Sequence, residues 1–367
     1  MNIFFDYKIF FSQSYGGPSF YFINLVNSIN KKNKLNFHAK IFSPLYVNKE
    51  LDNNYKYLKK FGIYVPSIFN NFQILEWMNK KICSYFLNSK NFNIYHTTYY
   101  GEPIVTKKKI PIVVTVFDLI HEIYQKKYYQ NISFYHKKKN LLSIADHIVC
   151  ISKNTQNDLI NFYNIDPKKT SVIYLSGCKN KFLITSNLIF NKPFFLYVGN
   201  RYRYKNFGTL LKSYSLSEKL FNNFDIVCWG GGIFTKTEKL LIRELKIPES
   251  NVKNFQGSNT VLRELYDKAY ALVYPSLYEG FGLPVLDSMS FGCPVISSNS
   301  SSLPEVYGDA AISFNPESEY ELYESMLKLS ADSNLRGDLI KKGIKRSNLF
   351  SWDETASKTI EVYNKFV

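Results

Sequence analysis

The sequence predicts an α/β protein built from two doubly wound, Rossmann-like domains, and three observations carry that expectation. The chain has 367 residues, more than one hydrophobic core usually serves, so two domains are expected. Short apolar runs alternate with segments of helical period from end to end, the pattern of parallel strands joined by crossover helices. These runs form two series, separated by a stretch from Gly177 to Lys192 that reads as a linker. Apolar residues make up 45% and aromatic residues 17% of the chain, enough to fill both cores and to exclude a disordered protein.

In the first series Asn2 to Phe5, His38 to Phe42, Asn93 to His96, Ile112 to Val116 and His147 to Ile151 read as strands. Between the first two, Pro18 to Ile29 sets Phe22, Leu25, Val26 and Ile29 on one helical face. The second series starts at Phe194 with FFLYVG and continues with FDIVCWG, NVKNFQG, ALVYP and PVISS, each followed by a loop or helix. Ser351, Trp352, Asp353 and Glu354 form a capping-box pattern, and the helix it opens carries Trp352, Ala356, Ile360 and Tyr363 on one stripe. The expected division is therefore residues 1–186, residues 187–350 and a terminal helix at 351–367. Ligands in such sheets bind at the carboxyl ends of the strands, which makes a cleft between the two domains the expected site.

Charge is distributed unevenly. Residues 1–186 hold 25 Lys and Arg against 10 Asp and Glu, and the remainder holds 21 against 20, so nearly all of the net charge of +16 lies in the first half. Lysines cluster at Lys31, Lys32 and Lys34, at Lys107 to Lys109, at Lys126 and Lys127, and at Lys137 to Lys139. Such a field suits an anionic membrane surface or a polyanionic acceptor, and equally a solvated surface that keeps the protein soluble. A basic, aromatic chain also raises nucleic-acid binding, but no RNA- or DNA-binding module is legible, so no nucleic-acid partner is expected. The five cysteines are scattered and form no CxxC pair, which argues against a disulfide framework or zinc site. MNIFFDYKIF reads as a first strand rather than a leader, and no run of about 18 apolar residues occurs to span a bilayer. The expected location is cytoplasmic, peripheral on the inner face of the membrane.

The segment from Val273 to Glu305 carries the most chemistry. A strand ends at Pro275 and Ser276, and the loop YEGFG follows, in which Gly280 and Gly282 let backbone amides approach a ligand. Pro284 sits where a first helical residue is favoured, and Gly292 ends a helix of about nine residues. The amides from Gly280 through Phe281 and Gly282 to Leu283 offer partial positive charge to an anion such as a phosphate. Glu279 beside such a site is repulsive to a phosphate unless it is aimed at sugar or ribose hydroxyls; Asp287 follows eight residues later, and both residues can equally be a cap and a surface acid. A second cationic element lies in YVGNRYRYKNF, where Arg201, Arg203 and Lys205 follow a strand that ends at Gly199. Arginine grips phosphate oxygens in a fork, and lysine acts as a compact cation.

EGFGLPVLD together with the KN of Lys205 and Asn206 resembles the retaining nucleotide-sugar glycosyltransferases of family 4, also called group 1, whose usual signature is EGFGLPxxE. The resemblance runs from about Asn2 to the C-terminus and is densest after Phe194. It implies the GT-B fold, two facing Rossmann-like domains with the last helix crossing back to the first. It also implies transfer of a hexose, of mannose or glucose type, from a nucleoside-diphosphate sugar to a hydroxyl of a surface glycan or glycolipid. Glu279, Arg201 and Lys205 take the catalytic positions, with Glu279 on the donor sugar and the two cations on its diphosphate. Asp287 stands where the family glutamate holds the ribose, one methylene shorter. Gly16 and Gly17 match a glycine loop near the donor diphosphate, and Gly257 and Leu262 match the segment that lines the base. Asp118 and His121, which follow a strand, are candidates for the acceptor side, and His96 is another. Many relatives have HD where this chain has Phe117-Asp118. With no DxD, HExxH or CxxC motif, no metal or other cofactor is expected, and protein cations would stabilise the departing diphosphate. A phosphorylase or another nucleotide-sugar enzyme on the same fold is the alternative reading.

Overall fold

The computed structural model describes residues 1–32, 36–53, 55–66, 72–124, 132–178, 188–201 and 203–366. Lys34, Lys126, Lys127 and much of the expected linker lie outside the described residues. The chain divides into two compact units, one of Met1–Leu175 with Ser351–Val367 and the other of Ser176–Phe350. The division expected after residue 186 falls among residues outside those described.

The first unit is a parallel sheet of β1 (Asn2–Phe5), β2 (His38–Tyr46), β3 (Lys60–Tyr64), β4 (Ile94–Thr97), β5 (Ile112–Val116), β6 (His147–Cys150) and β7 (Thr170–Val172). The spatial order is β3-β2-β1-β4-β5-β6-β7, so the direction of winding reverses between β1 and β4. Strands β4 and β6 are buried at every position, because helices cover both faces of a parallel sheet. Edge strand β3 and the three-residue β7 are additions to the sequence reading. The first, KFGIY, is half exposed and holds a glycine, and the second is too short to make an apolar run. The helix Gly17–Lys31 buries Tyr21, Phe22, Leu25, Val26 and Ile29 completely. Burial of each such side chain contributes about 1.5–3 kcal/mol relative to exposure. The terminal helix Trp352–Tyr363 is capped by Ser351, whose Oγ accepts from the Glu354 amide at 3.1 Å. Its Trp352 ring packs on Phe20 and Tyr21, with centroids 5.8 and 6.1 Å apart.

The second unit is a parallel sheet of β8 (Phe194–Val198), β9 (Asp225–Trp229), β10 (Val252–Phe255), β11 (Ala271–Tyr274), β12 (Val295–Ser298) and β13 (Ile312–Phe314). Its order is β10-β9-β8-β11-β12-β13, with the reversal between β8 and β11. Five of these strands coincide with the apolar runs of the sequence; β13 is only three residues long and carries no run. The core gathers Phe195, Tyr197, Leu210, Ile226, Val273 and Ile296 around the sheet.

Candidate functional site

In the second unit the carboxyl ends of β8 and β11 part at the point where the winding reverses, which is where open α/β sheets bind ligands. The loop after β8 brings Lys205 to this point, and the loop after β11 brings Glu279. The Lys205 ammonium donates to Glu279 Oε1 at 2.7 Å and to the Tyr274 hydroxyl at 3.1 Å, and Tyr274 donates to the same Oε1 at 2.9 Å. Burial is the largest influence on Lys205 and opposes its charge, but the Glu279 carboxylate, its hydrogen bond and the nearby Tyr204 and Tyr197 together outweigh it and hold the ammonium at about 12. Burial also pushes the Tyr274 phenol well above its ordinary value, followed by the charge of Glu279, so Tyr274 stays a proton donor.

Both loops are held in place by the chain itself. Tyr197 donates to Asn200 O at 2.5 Å and Asn206 Nδ2 donates to Pro275 O at 3.1 Å and Pro316 O at 2.8 Å, while the Leu277 amide donates to Tyr204 O at 2.7 Å. A run of serines after β12 fixes the glycine loop. Ser298 donates to Ser276 O, Ser300 to Leu277 O, and Ser302 to both Glu279 O and Phe281 O, at 2.5–3.0 Å, while Ser301 Oγ accepts from the Glu279 amide at 2.8 Å. Gly282 has φ 109° and starts the helix Leu283–Ser290; a Cβ there would stand 2.6 Å from Leu303 Cδ2. Only glycine meets both demands. Gly280 and Phe281 are buried in this loop and Leu283 is half-buried, so the predicted loop and helix start stand directly after Glu279.

Asp287, on the first turns of that helix, accepts from the Cys178 amide at 2.7 Å through Oδ1. Burial raises its carboxyl to about 7, against the pull of the Cys178 amide and Arg263. The unfolded chain ionises first, from its ordinary 3.8. Stability from this group is therefore full below that value and is lost as pH rises toward about 7. Asp287→Asn keeps an oxygen for Cys178 and cannot ionise, so its Tm is expected to exceed that of the natural protein at pH 8 and to converge with it at pH 4. At about 1.4 kcal/mol per pKa unit the gain is on the order of a few kcal/mol. Equal melting curves at both pH values would contradict the buried-acid assignment; a fall in donor affinity of the same variant at pH 7 would point to a ribose contact.

Arg201 is placed differently from Lys205. Its guanidinium is buried, and every N–H has an acceptor from the chain. Nε donates to Glu238 Oε1 at 2.9 Å, Nη1 to Gly230 O at 2.7 Å and to Asn254 Oδ1 at 3.4 Å, and Nη2 to Gly232 O at 2.8 Å and Ile233 O at 3.0 Å, with Gly231 O at 3.3 Å. The Phe234 ring covers it at 4.6 Å. Gly230, Gly231 and Gly232 have φ of 91°, 69° and 75°, which turns their carbonyls inward onto the guanidinium and accounts for three glycines in a row. Arg203 is exposed. Gly257 and Leu262 lie at the end of β10 and in the helix Asn259–Lys268; Gly257 is exposed and Leu262 half-buried.

In the first unit the candidates separate. Gly16 and Gly17 open the helix Gly17–Lys31, and Ser19 Oγ donates back to Gly16 O at 2.9 Å. Asp118 and His121 follow β5. Asp118 Oδ1 accepts from the Ile120 amide at 3.1 Å, and burial raises its carboxyl against the charge of Lys138. The ring of His121 packs on Phe134 at 4.5 Å. His96 belongs to the core rather than to a ligand surface, which corrects the sequence reading. It is fully buried with Nδ1 hydrogen-bonded to Tyr363 at 2.6 Å and Nε2 to Thr115 at 2.8 Å, and burial lowers its pKa to about 3.

Sequence reasoning passed over Asp6, which sits at the winding reversal of the first sheet. Its carboxylate is buried, accepts from Tyr95, Thr97 and Thr98 at 2.6–2.9 Å, and pairs with Lys8 at 3.2 Å. The order D-x-K directly after the first strand was its signal. Tyr274 and Ser301 were missed too, since a strand-end tyrosine reads as core and a serine run reads as loop.

A family model described as Glycosyl transferases group 1 matches residues 181–346, and another described as Glycosyltransferase Family 4 matches residues 15–175. The O-antigen chain mannosyltransferase RfbU of Salmonella typhimurium is 29% identical over 252 residues, covering 69% of this chain and 68% of that protein. The O-antigen chain mannosyltransferase B of Escherichia coli is 41% identical over 99 residues, 27% of this chain and 26% of that one. Among solved structures, WaaG, a glycosyltransferase involved in lipopolysaccharide biosynthesis, superposes with a TM-score of 0.72 at 16% identity, over 99% of each chain. Sucrose-phosphate synthase from Thermosynechococcus elongatus gives 0.75 at 17% identity, over 99% of this chain and 98% of that one. The fold is thus of the GT-B class, and the chain belongs to the group 1, family 4 glycosyltransferases as a hexosyltransferase.

Proposed function

We propose that this enzyme transfers a mannose-type hexose, with retention of anomeric configuration, from a nucleoside-diphosphate sugar to a hydroxyl of a lipid-borne surface glycan of the O-antigen kind. The observation that carries the reading is the contact of Lys205 with Glu279 at the winding reversal of the second sheet. Similarity to two O-antigen mannosyltransferases supports the choice of sugar and acceptor. In this reading the Lys205 ammonium and the amides that open the helix Leu283–Ser290 take up charge developing on the departing diphosphate. Glu279, held by Tyr274 and Ser301, accepts from hydroxyls of the donor sugar. The acceptor reaches the enzyme from an anionic membrane surface, for which the basic first half of the chain is suited.

Donor identity is read by thermal stabilisation. A matching nucleoside-diphosphate sugar at 100 times its Kd adds about 2.7 kcal/mol to stability, whereas sugars with the wrong base or hexose leave Tm unchanged. A protein that no nucleotide sugar stabilises or labels is not this enzyme. Leaving-group stabilisation by Lys205 and backbone amides predicts that transfer continues at an unchanged rate in EDTA. Loss of transfer on chelation, restored by one divalent metal, would replace that account.

A further inference from the structure

Two buried ion pairs of the first unit stand behind the walls of one cavity. Asp6 and Lys8 have side chains 0 and 9% exposed, and Asp6 also accepts from Thr97 and Thr98, which fixes the TTYYG loop after β4. Glu122 and Lys138 are each 1% exposed and 2.8 Å apart. Lys138 donates to Asp118 O at 2.8 Å and lies 4.6 Å from the Tyr100 ring, while Tyr163 donates to Glu122 at 2.6 Å. The loss of water around such ions is repaid only in close, well-bonded geometry, so both walls are fixed in place.

The cavity measures about 490 Å³, within the range of about 300–1,000 Å³ usual for ligand sites. One wall is the segment from Gly101 to Pro103, and Gly101, at φ 152°, adds no side chain to it. The other is the helix Ile132–Ile144, which presents Ser133, His136, Lys137, Asn140 and Ile144. These positions recur at helical spacing and share one face over about 16 Å. The opposite face of the helix buries Lys138, Leu141 and Leu142.

Among the described residues the side chains of Ser133, His136, Lys137 and Asn140 make no hydrogen bond, so they are open to a ligand. Glu102 faces them from the other wall. It pairs with Lys80 at 2.7 Å, and Lys80, with Lys137 and Lys8 beyond it, holds its carboxyl below the ordinary value. A carboxylate in the wall repels phosphate, whereas hydroxyls meet carboxylate, amide and ammonium alike. Both walls start at a ring cluster. Tyr99 and Tyr100 meet Phe134 at 6.3 and 5.6 Å, and His121 meets it at 4.5 Å, with all four rings half-buried. The Tyr99 phenol has no hydrogen-bond partner among the described residues, and burial, followed by the charges of Asp118 and Glu122, raises its pKa to about 12. Rings with a polar tip suit a pyranose, which has apolar C–H faces and a rim of hydroxyls.

We propose that this groove is a subsite for a neutral oligosaccharide, holding sugars of the acceptor chain that precede the one receiving the hexose. The proposal deepens the reading of a glycan acceptor and rests on it. From the carboxyl ends of β4 and β5 the groove runs back along three turns of helix toward the start of β6, farther than one pyranose reaches. A chain lying in it keeps its growing end beside Asp118 and His121.

The test is saturation-transfer NMR of the full chain with linear α-linked mannotriose and maltotriose, each compared with the methyl glycoside of its single sugar. One triose is expected to bind at least about fivefold tighter than its methyl glycoside, the effect of one further hydrogen bond. Asn140→Ala with Ser133→Ala should raise that Kd about tenfold or more, with Tm unchanged because both positions are exposed and alanine favours helix. Glu279→Ala should keep glycan binding. Loss of binding in that variant would place the glycan in the donor site and overturns the proposal, as does a triose affinity unaltered by the paired alanines. Mannose 6-phosphate binding more tightly than methyl mannoside, and weakening as salt rises, would assign the groove to an anion and overturns it too. If nucleotide sugars stabilise the chain but neither triose binds, the groove fails and the transferase reading stands. If a triose binds as described and no nucleotide sugar does, the transferase reading fails and the groove stands as a glycan site.

Discussion

Lys205→Ala and Glu279→Ala are each expected to lower kcat by about 100- to 1,000-fold, the range seen when one preorganised electrostatic group is removed from an active site. At the β8 and β11 ends the Lys205 ammonium donates to a single carboxylate oxygen and a phenol. A donor diphosphate can share it without dismantling a loop. Glu279→Gln retains an oxygen that accepts from Lys205 and Tyr274 but loses the charge, so it should fall between Glu279→Ala and the natural enzyme. Stability is the necessary control. The pKa of Lys205 is raised from 10.5 to about 12, so the stabilisation is fully present below 10.5 and is lost only as pH passes through about 12. The charged form of Lys205 is thus favoured by about 2 kcal/mol at every pH used for assay, with no pH dependence of stability from this group near neutrality, and the Tm of each alanine variant is measured before its turnover. Turnover measured well below Tm then reports chemistry. If either alanine variant turns over at near the natural rate, the Lys205–Glu279 contact is structural and the proposed site is misplaced.

The sequence makes one half of this contact easy to find and conceals what supports it. EGFG is legible because glycine and proline positions dictate the loop and the helix start, and YKN is legible because cations follow a strand. Tyr274 is concealed because every position of β11 is apolar and buried, so its hydroxyl has no pattern to betray it. Ser298, Ser300 and Ser302 hold carbonyls of the neighbouring loop and Ser301 holds the Glu279 amide, a long-range relation that local polarity cannot show. His96 was misplaced for a related reason. A strand that alternates would expose every second residue, but β4 is covered on both faces, and a histidine at its end is as deeply buried as its neighbours. Strand positions in the second unit were legible nearly throughout, since β8, β9, β11 and β12 are largely apolar and buried, and edge strand β10, VKNF, keeps apolar residues at both ends. Edge and terminal strands β3, β7 and β13 lack such runs because they are short or face water.

Arg201→Ala is expected to produce the largest loss of stability, about 3–5 kcal/mol, because it leaves a carboxylate and several inward-turned carbonyls without a donor. Arg201 and Lys205 share a resemblance to one diphosphate clamp, yet their surroundings assign them different work. The five N–H groups of Arg201 hold Glu238, Asn254 and the carbonyls that follow β9. A guanidinium reserved for a phosphate would be left unpaired by its own chain. The two roles give opposite results without donor. For a phosphate clamp, removing an unpaired cation leaves Tm unchanged or raises it, and only donor affinity falls. For a loop clasp, Tm falls first, and donor affinity falls as a consequence of the displaced Gly230 to Ile233 turn. Arg201→Lys separates the roles further, since an ammonium supplies charge to a phosphate but has three donors and no planar fork for carbonyls on several sides. It is expected to melt close to Arg201→Ala. A lysine variant that keeps the natural Tm while losing donor binding would return Arg201 to the diphosphate.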